Sequence, residues 1–198
     1  MRKLFIGLSI AIAVLFSLSF VPSKKSMASS TLYIALGSGG HGSGVHIGNG
    51  LVLTAWHVVD DENDIKAKDT KGVEHDTELM WSNKTYDVAL LRIKDFKKLQ
   101  SRSLSCRYLD QGEQLSFEGN PFNFDTLTSW GKVSKSAITT VADWKEAYII
   151  DGTLGAGMSG GPAIDGYGYV VGLNVGMLNN TNFVTIVPGR TICALLAR

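Results

Sequence analysis

The sequence predicts an all-β fold, an antiparallel barrel or sandwich, on three observations. Short apolar runs are punctuated by glycine and asparagine along most of the chain, Asn49-Gly50 separates two such runs, and a helical spacing of apolar residues occurs only at the C-terminus. "GVHIGNGLVLTAWH" (44–57) reads as a hairpin, because Asn-Gly tolerates the positive φ angles that a two-residue turn between twisted strands requires. "TYDVALLRI" (85–93), "EQLSFEG" (113–119), "LTSWGKVSKSAIT" (127–139) and "EAYIID" (146–151) follow as strands, then "GYVVGLNVG" (168–176) and "NFVTIVP" (182–188). "RTICALLAR" (190–198) has the spacing of a short amphipathic helix.

The N-terminus carries a different signature. Arg2 and Lys3 precede a largely apolar run from Leu4 to Val21, Pro22 breaks it, and Ser26-Met27-Ala28 offers the small residues that a signal peptidase reads. Residues 1–28 therefore read as a signal peptide cleaved after Ala28, leaving 29–198 in the periplasm or outside the cell with no membrane contact. The competing reading is a membrane anchor through residues 4–21, which approach the shortest span of a bilayer, although Ser9, Ser17 and Ser19 dilute the run.

Cleavage removes Arg2, Lys3, Lys24 and Lys25 and no acids, turning a net charge of +1 into −3. No basic patch invites nucleic acid, and no acidic block marks a disordered tail. The two cysteines, Cys106 and Cys193, lie far apart; export permits a disulfide, but the reading falls slightly on the side of two buried thiols. His41 and His46 lack the Cys/His spacing of a zinc ligand set, so no metal and no other cofactor is expected.

"AGMSGGPAID" (156–165) places Ser159 among glycines. "GMSGG" satisfies the G-x-S-x-G of a nucleophile elbow, but that motif needs a helix after the serine and a histidine downstream. All four histidines lie upstream, and "GGPAIDG" cannot start a helix. A glycine-rich turn is the bland alternative. It weakens because "LVLTAWHVVD" (51–60) ends an apolar run on His57, where a general base would have rigid support, and "YDVALLRI" sets Asp87 at the edge of an aliphatic run, where an orienting carboxylate would be partly dry. Asp60, Asp61 and Asp64 sit too near His57 in a charged stretch that reads as a solvated loop.

With "GSGVHIGNGLVLTAWHVV" (42–59), "YDVALLRIK" (86–94), "GNPFNFDTLTSWGKVS" (119–134), "DGTLGAGMSGGPAID" (151–165) and "GLNVG" (172–176) in this order, the chain resembles trypsin-like serine proteases, most closely the HtrA/Deg branch. The resemblance implies two perpendicular six-stranded β-barrels, about 29–105 and about 112–198, with the site in the cleft between them. It implies a catalytic triad of His57, Asp87 and Ser159, an oxyanion hole from the amides of Gly157 and Ser159, and protein or peptide substrates. Thr153 falls where trypsin carries the acid that selects Arg and Lys, with Leu173, Asn174 and Val175 as the facing wall, give or take a residue; this implies a preference for small or medium apolar residues before the cleaved bond. Met158 replaces trypsin's aspartate before the serine and no "IVGG"-like start is visible, so no activating cleavage beyond signal removal is expected. The chain reaches Arg198 at the close of its final helix, which leads to the expectation of a protease domain without the PDZ domain common in that branch, its oligomeric state open. The alternative function is a catalytically silent, protease-like binding module.

Overall fold

The computed structural model describes residues 29–141 and 144–198; the expected signal segment, 1–28, lies outside the described residues. Two closed antiparallel barrels of six strands each make up the fold, in agreement with the expected architecture. The first contains β1 (Thr31–Leu36), β2 (His41–Gly48), β3 (Leu51–Thr54), β4 (Ile65–Lys68), β5 (Glu74–Asn83) and β6 (Val88–Ile93), in the order β1-β2-β3-β6-β5-β4. The second contains β7 (Gln114–Gly119), β8 (Leu127–Val141), β9 (Trp144–Gly152), β10 (Pro162–Ile164), β11 (Val170–Met177) and β12 (Phe183–Pro188), in the order β10-β11-β12-β9-β8-β7. Pairing of β1 with β4, and of β10 with β7, closes each barrel and leaves no free sheet edge along its full length. A one-turn helix, α1 (Trp56–Val59), follows β3, and α2 (Gly189–Leu196) ends the chain.

The hairpin at Asn49-Gly50 forms as its sequence dictates: φ is 54° at Asn49 and 75° at Gly50, the left-handed pair that lets β2 and β3 meet with matching twist. Alternation packs the interiors. In β7 the pattern buries Leu115 and Phe117 and leaves Gln114 exposed, and Phe117, wholly buried, contributes about 2–3 kcal/mol of apolar transfer energy. Tyr148 is equally buried, and its hydroxyl accepts a hydrogen bond from the Leu109 amide at 3.1 Å.

Several elements escape the sequence reading. β5 reads "EHDTELMWSN", so charged and exposed side chains hide its strand period; β4 has only four residues; β10 opens on proline. β1 is omitted although Leu32 and Ile34 turn inward as a strand requires. The expected strand at 85–93 begins only at Val88, because Lys84–Tyr86 tighten into a 3₁₀ turn capped by Asn83, whose Oδ1 accepts from the Tyr86 amide at 3.2 Å.

The barrels are joined by more than a linker. The apolar core of the first barrel continues into Val170, Leu173, Val187 and Ile192. Glu118 on β7 accepts from Ser29 Oγ at 2.9 Å and Thr31 Oγ1 at 2.6 Å and pairs with Arg102 at 3.1 Å, tying the start of β1 to the second barrel. Beyond β6 the chain lies against β11, with Ser105 N donating to Val170 O at 2.8 Å. One residue on, Cys106 is disulfide-bonded to Cys193 of α2, with Cα atoms 5.8 Å apart. This corrects the expectation of free thiols: the two lie 87 residues apart in sequence, and only the folded path brings them within bonding reach.

Candidate active site

His57 and Asp87 come from the first barrel. Val58 and Val59 anchor α1 in the core, which leaves His57 on its open side with 40 % of its side chain exposed. Asp87 follows the 3₁₀ turn in a left-handed conformation (φ 55°), a strained geometry for a non-glycine residue, and its side chain is buried. His57 Nδ1 lies 2.8 Å from Asp87 Oδ2, which places the ring proton on Nδ1 and leaves Nε2 an acceptor. The His57 amide donates to Asp87 Oδ1 at 2.9 Å, and the Trp144 indole N–H donates to Oδ2 at 3.0 Å. Burial pushes the Asp87 carboxyl up, but the hydrogen bonds from His57 and Trp144 outweigh it and hold the group below the ordinary aspartate range.

Trp144 belongs to the other barrel. Its ring lies so close to Gly176 that a Cβ there would stand 2.9 Å from Cη2. The indole thus bridges β9, β11 and the acid of the first barrel. No spacing or motif in the sequence signals this contact, which spans 57 residues.

Ser159 sits in a loop defined by backbone bonds. Ser43 N donates to Ser159 O at 2.8 Å, Gly160 N to Asn174 O at 2.7 Å, Gly161 N to Met158 O at 3.1 Å and Phe122 N to Ala156 O at 3.1 Å. Ser43 Oγ also donates to Gly157 O at 2.7 Å. Gly157 (φ 98°) and Gly160 (φ 82°) must be glycine: a Cβ on the first would run into His41 Nε2 and Asn120 O, and on the second into Ser43 O and Thr54 Oγ1. Met158 is buried against Gly119 and fixes the loop from below by packing. With the Ala156 and Gly157 carbonyls tied to Phe122 and Ser43, the amides of Gly157 and Ser159 have no hydrogen-bond acceptor among the described residues. No hydrogen bond joins Ser159 Oγ to His57 among the described residues.

The sequence profile of the trypsin-like peptidase domain matches residues 42–173, which include His57, Asp87, Trp144 and Ser159. The chain belongs to the trypsin-like peptidase domain family. Within that family, it is 36% identical over 136 residues to a probable periplasmic serine endoprotease, DegP-like, of Pseudomonas putida, covering 67% of this chain and 28% of the relative. The periplasmic serine endoprotease DegP of Salmonella typhimurium is 30% identical over 143 residues, covering 69% of this chain and 30% of that protein. This trypsin-like peptidase domain thus spans under a third of the length of these curated relatives. Among solved structures it superposes on a serine endoprotease from Yersinia pestis with a TM-score of 0.77 at 23% identity, over 86% of this chain and 62% of the other. A Mycobacterium tuberculosis protease in its active form gives a TM-score of 0.79 at 19% identity, over 86% and 80%. At these identities the superpositions establish the fold.

The residues expected to shape specificity separate in the structure of this peptidase domain. Thr153 is exposed, its carbonyl accepting from Ser129 Oγ at 2.7 Å. Leu173 and Asn174 are wholly buried, unlike the open wall expected of them. Leu173 is wholly buried in the core, and Asn174 turns beneath the Ser159 loop, its Nδ2 donating to Glu118 O at 3.1 Å. Val175 alone of the three lines the cleft, in a cavity of about 890 Å³ shared with His57, Asp87 and Trp144. Met177, two residues on, contacts the opposite segment, its Sδ accepting from the Leu154 amide at 3.5 Å. His41 stacks on Tyr33 with ring centroids 4.9 Å apart; His46 bonds through Nδ1 to Gln100 O at 2.8 Å and through Nε2 to the Gly50 amide at 3.1 Å. Among the described residues, no group of three or more His, Cys, Asp or Glu is placed to hold a metal ion, and no helix is long and apolar enough to cross a membrane.

Proposed function

We propose that this chain is an exported serine endopeptidase that hydrolyses peptide bonds through an acyl-enzyme, with His57, Asp87 and Ser159 as its triad. The observation that carries this reading is the His57–Asp87 pair at 2.8 Å, with Nε2 left as an acceptor, in a fold whose second barrel presents a serine flanked by two unengaged amides. Ser159 Oγ attacks the substrate carbonyl carbon while His57 Nε2 takes its proton; collapse of the tetrahedral intermediate breaks the C–N bond, and His57 returns the proton to the leaving amine. Water then repeats the sequence on the ester and frees Ser159. Asp87 holds the imidazole tautomer and stabilises the imidazolium. The Gly157 and Ser159 amides receive the oxyanion, each worth roughly 3 kcal/mol in the transition state.

The substrate fits as an added strand. Past the Pro162↔Leu173 pair, β11 has no strand partner on its β10 side among the described residues, so the Val175–Met177 end of the strand leaves an edge open to an extended peptide. Without an acid at Thr153, and with Leu154 and Met177 opposite each other, the site favours a small or medium apolar residue before the cleaved bond. The signal-like sequence of residues 1–28 and the word periplasmic in its relatives' names support export.

One observation favours the second reading, a silent binding module: Ser159 Oγ and His57 are not hydrogen-bonded. In unliganded sites such bonds are often long and tighten only around substrate. Covalent labelling separates the two readings. A serine-reactive phosphonate will attach to Ser159 of the protein expressed from its full sequence, and His57→Ala will abolish the label; an unlabelled, folded parent protein would establish the binding module.

A further inference from the structure

The cavity beside His57 has an electrostatic character that peptide hydrolysis does not require. Its walls are Trp56 from α1 and Trp144 and Val175 from the second barrel, and its rim carries Lys84 and Lys145. Neither lysine is loosely disposed. Lys84 Nζ lies 4.7 Å from the centroid of the Trp56 ring, and Lys145 Nζ lies 5.0 Å from that of Tyr86. An aromatic face attracts an ammonium while leaving much of its charge directed outward, so both cations are held at the cleft with little entropy left to lose on meeting an anion. Among the described residues neither has a carboxylate partner. Among the described residues, the one carboxylate lining the cavity is Asp87, already engaged by His57 and Trp144.

We infer that this cleft selects peptides carrying an acidic side chain shortly before the cleaved bond, with Lys84 and Lys145 as the specificity-determining residues. The inference rests on the peptidase reading for the word "cleaved", but the charge preference itself is a property of the cleft. A peptide laid along Val175–Met177 advances about 3.3 Å per residue, so its side chains roughly two to four residues before the bond pass between the two lysines. Aromatic walls exclude water and lengthen the reach of the two ammonium charges. A glutamate there gains two cationic neighbours; a lysine meets like charge twice, which discriminates more strongly than either attraction alone. This selection is separate from the apolar site at Leu154 and Met177, which reads the residue next to the bond.

The test measures binding apart from chemistry. Full-chain protein with Ser159→Ala is titrated into fluorescent decapeptides that differ only in carrying Glu, Gln or Lys at the second, third and fourth residues before a central valine. The inference predicts that the Glu peptide binds roughly tenfold tighter than the Lys peptide at low ionic strength, with Gln between them, and that the gap closes at high salt. Adding Lys84→Gln and Lys145→Gln together brings the Glu-to-Lys ratio to about one, and each change alone removes part of it. Equal affinities for Glu and Lys peptides, or a preference that survives the double change, would overturn the inference. Phosphonate labelling of the parent is scored separately, so a protein that prefers acidic peptides yet resists the label refutes the peptidase reading and leaves the cleft assignment standing.

Discussion

The first barrel delivers His57 and Asp87 through side-chain hydrogen bonds at the ends of strands, whereas the second delivers Ser159 through backbone bonds among glycines. Asp87 is fixed by three donors, two from His57 and one from Trp144. Ser159 is fixed by where its neighbours' carbonyls and amides point, with Gly157 and Gly160 at φ angles that side chains resist. Proton handling requires a tunable charge, which side-chain contacts provide. Oxyanion binding requires a rigid pair of dipoles, which a close-packed backbone provides. The first half should therefore respond to single-atom changes, and the second to added volume.

The largest effect falls on the acid. Asp87→Asn keeps the shape but lets His57 take the wrong tautomer, and kcat should fall about 10⁴-fold in steady-state assays with KM little altered. The same variant tests the charge. Because the native carboxyl titrates below its unfolded value, its contribution to stability is full above the ordinary aspartate pKa of about 4 and is lost as pH falls through the lower native value. The stability gap between parent and variant in urea melts should accordingly be widest near neutrality and shrink in acid.

Volume comes next. Gly157→Ala drives a Cβ into His41 and Asn120 O, and should lower kcat about 10²–10³-fold while leaving the His57–Asp87 pair visible as a downfield NMR proton. Trp144→Phe keeps the ring over Gly176 but removes the indole N–H, one of the donors that hold the Asp87 carboxyl low. We expect kcat to fall roughly tenfold, with the acid limb of the pH–rate profile displaced to higher pH. A packing role alone would leave that limb in place. The smallest effect on chemistry should come from Cys106→Ser with Cys193→Ser. Losing this cross-link should reduce unfolding free energy by about 2–5 kcal/mol by calorimetry, with kcat/KM near that of the parent at low temperature.

Much of this arrangement is legible in the sequence. Asn49-Gly50 dictates a hairpin, and most apolar runs become strands within a few residues of their expected bounds. His57, Asp87 and Ser159 stand out because each lies in a context that its candidate role needs. The specificity wall was harder to read. β11 is buried from Val170 to Val175, core on one side and the Ser159 loop on another, so its alternation vanishes and nothing in "GLNVG" tells Val175 from its buried neighbours. Trp144 and the Cys106–Cys193 bond are products of topology: each joins residues whose proximity exists only after both barrels close. β5 was hidden for the opposite reason, since much of it faces water and carries no apolar stripe.

The central claim is that this cleft hydrolyses proteins through Ser159. Unfolded fluorescent casein, incubated with the full-chain protein and separately with Ser159→Ala, tests it most directly. The account predicts turnover by the parent and a loss of about 10⁶-fold in the variant. Equal residual turnover by both would assign the activity to another group, and no turnover by a folded parent would contradict the peptidase reading itself.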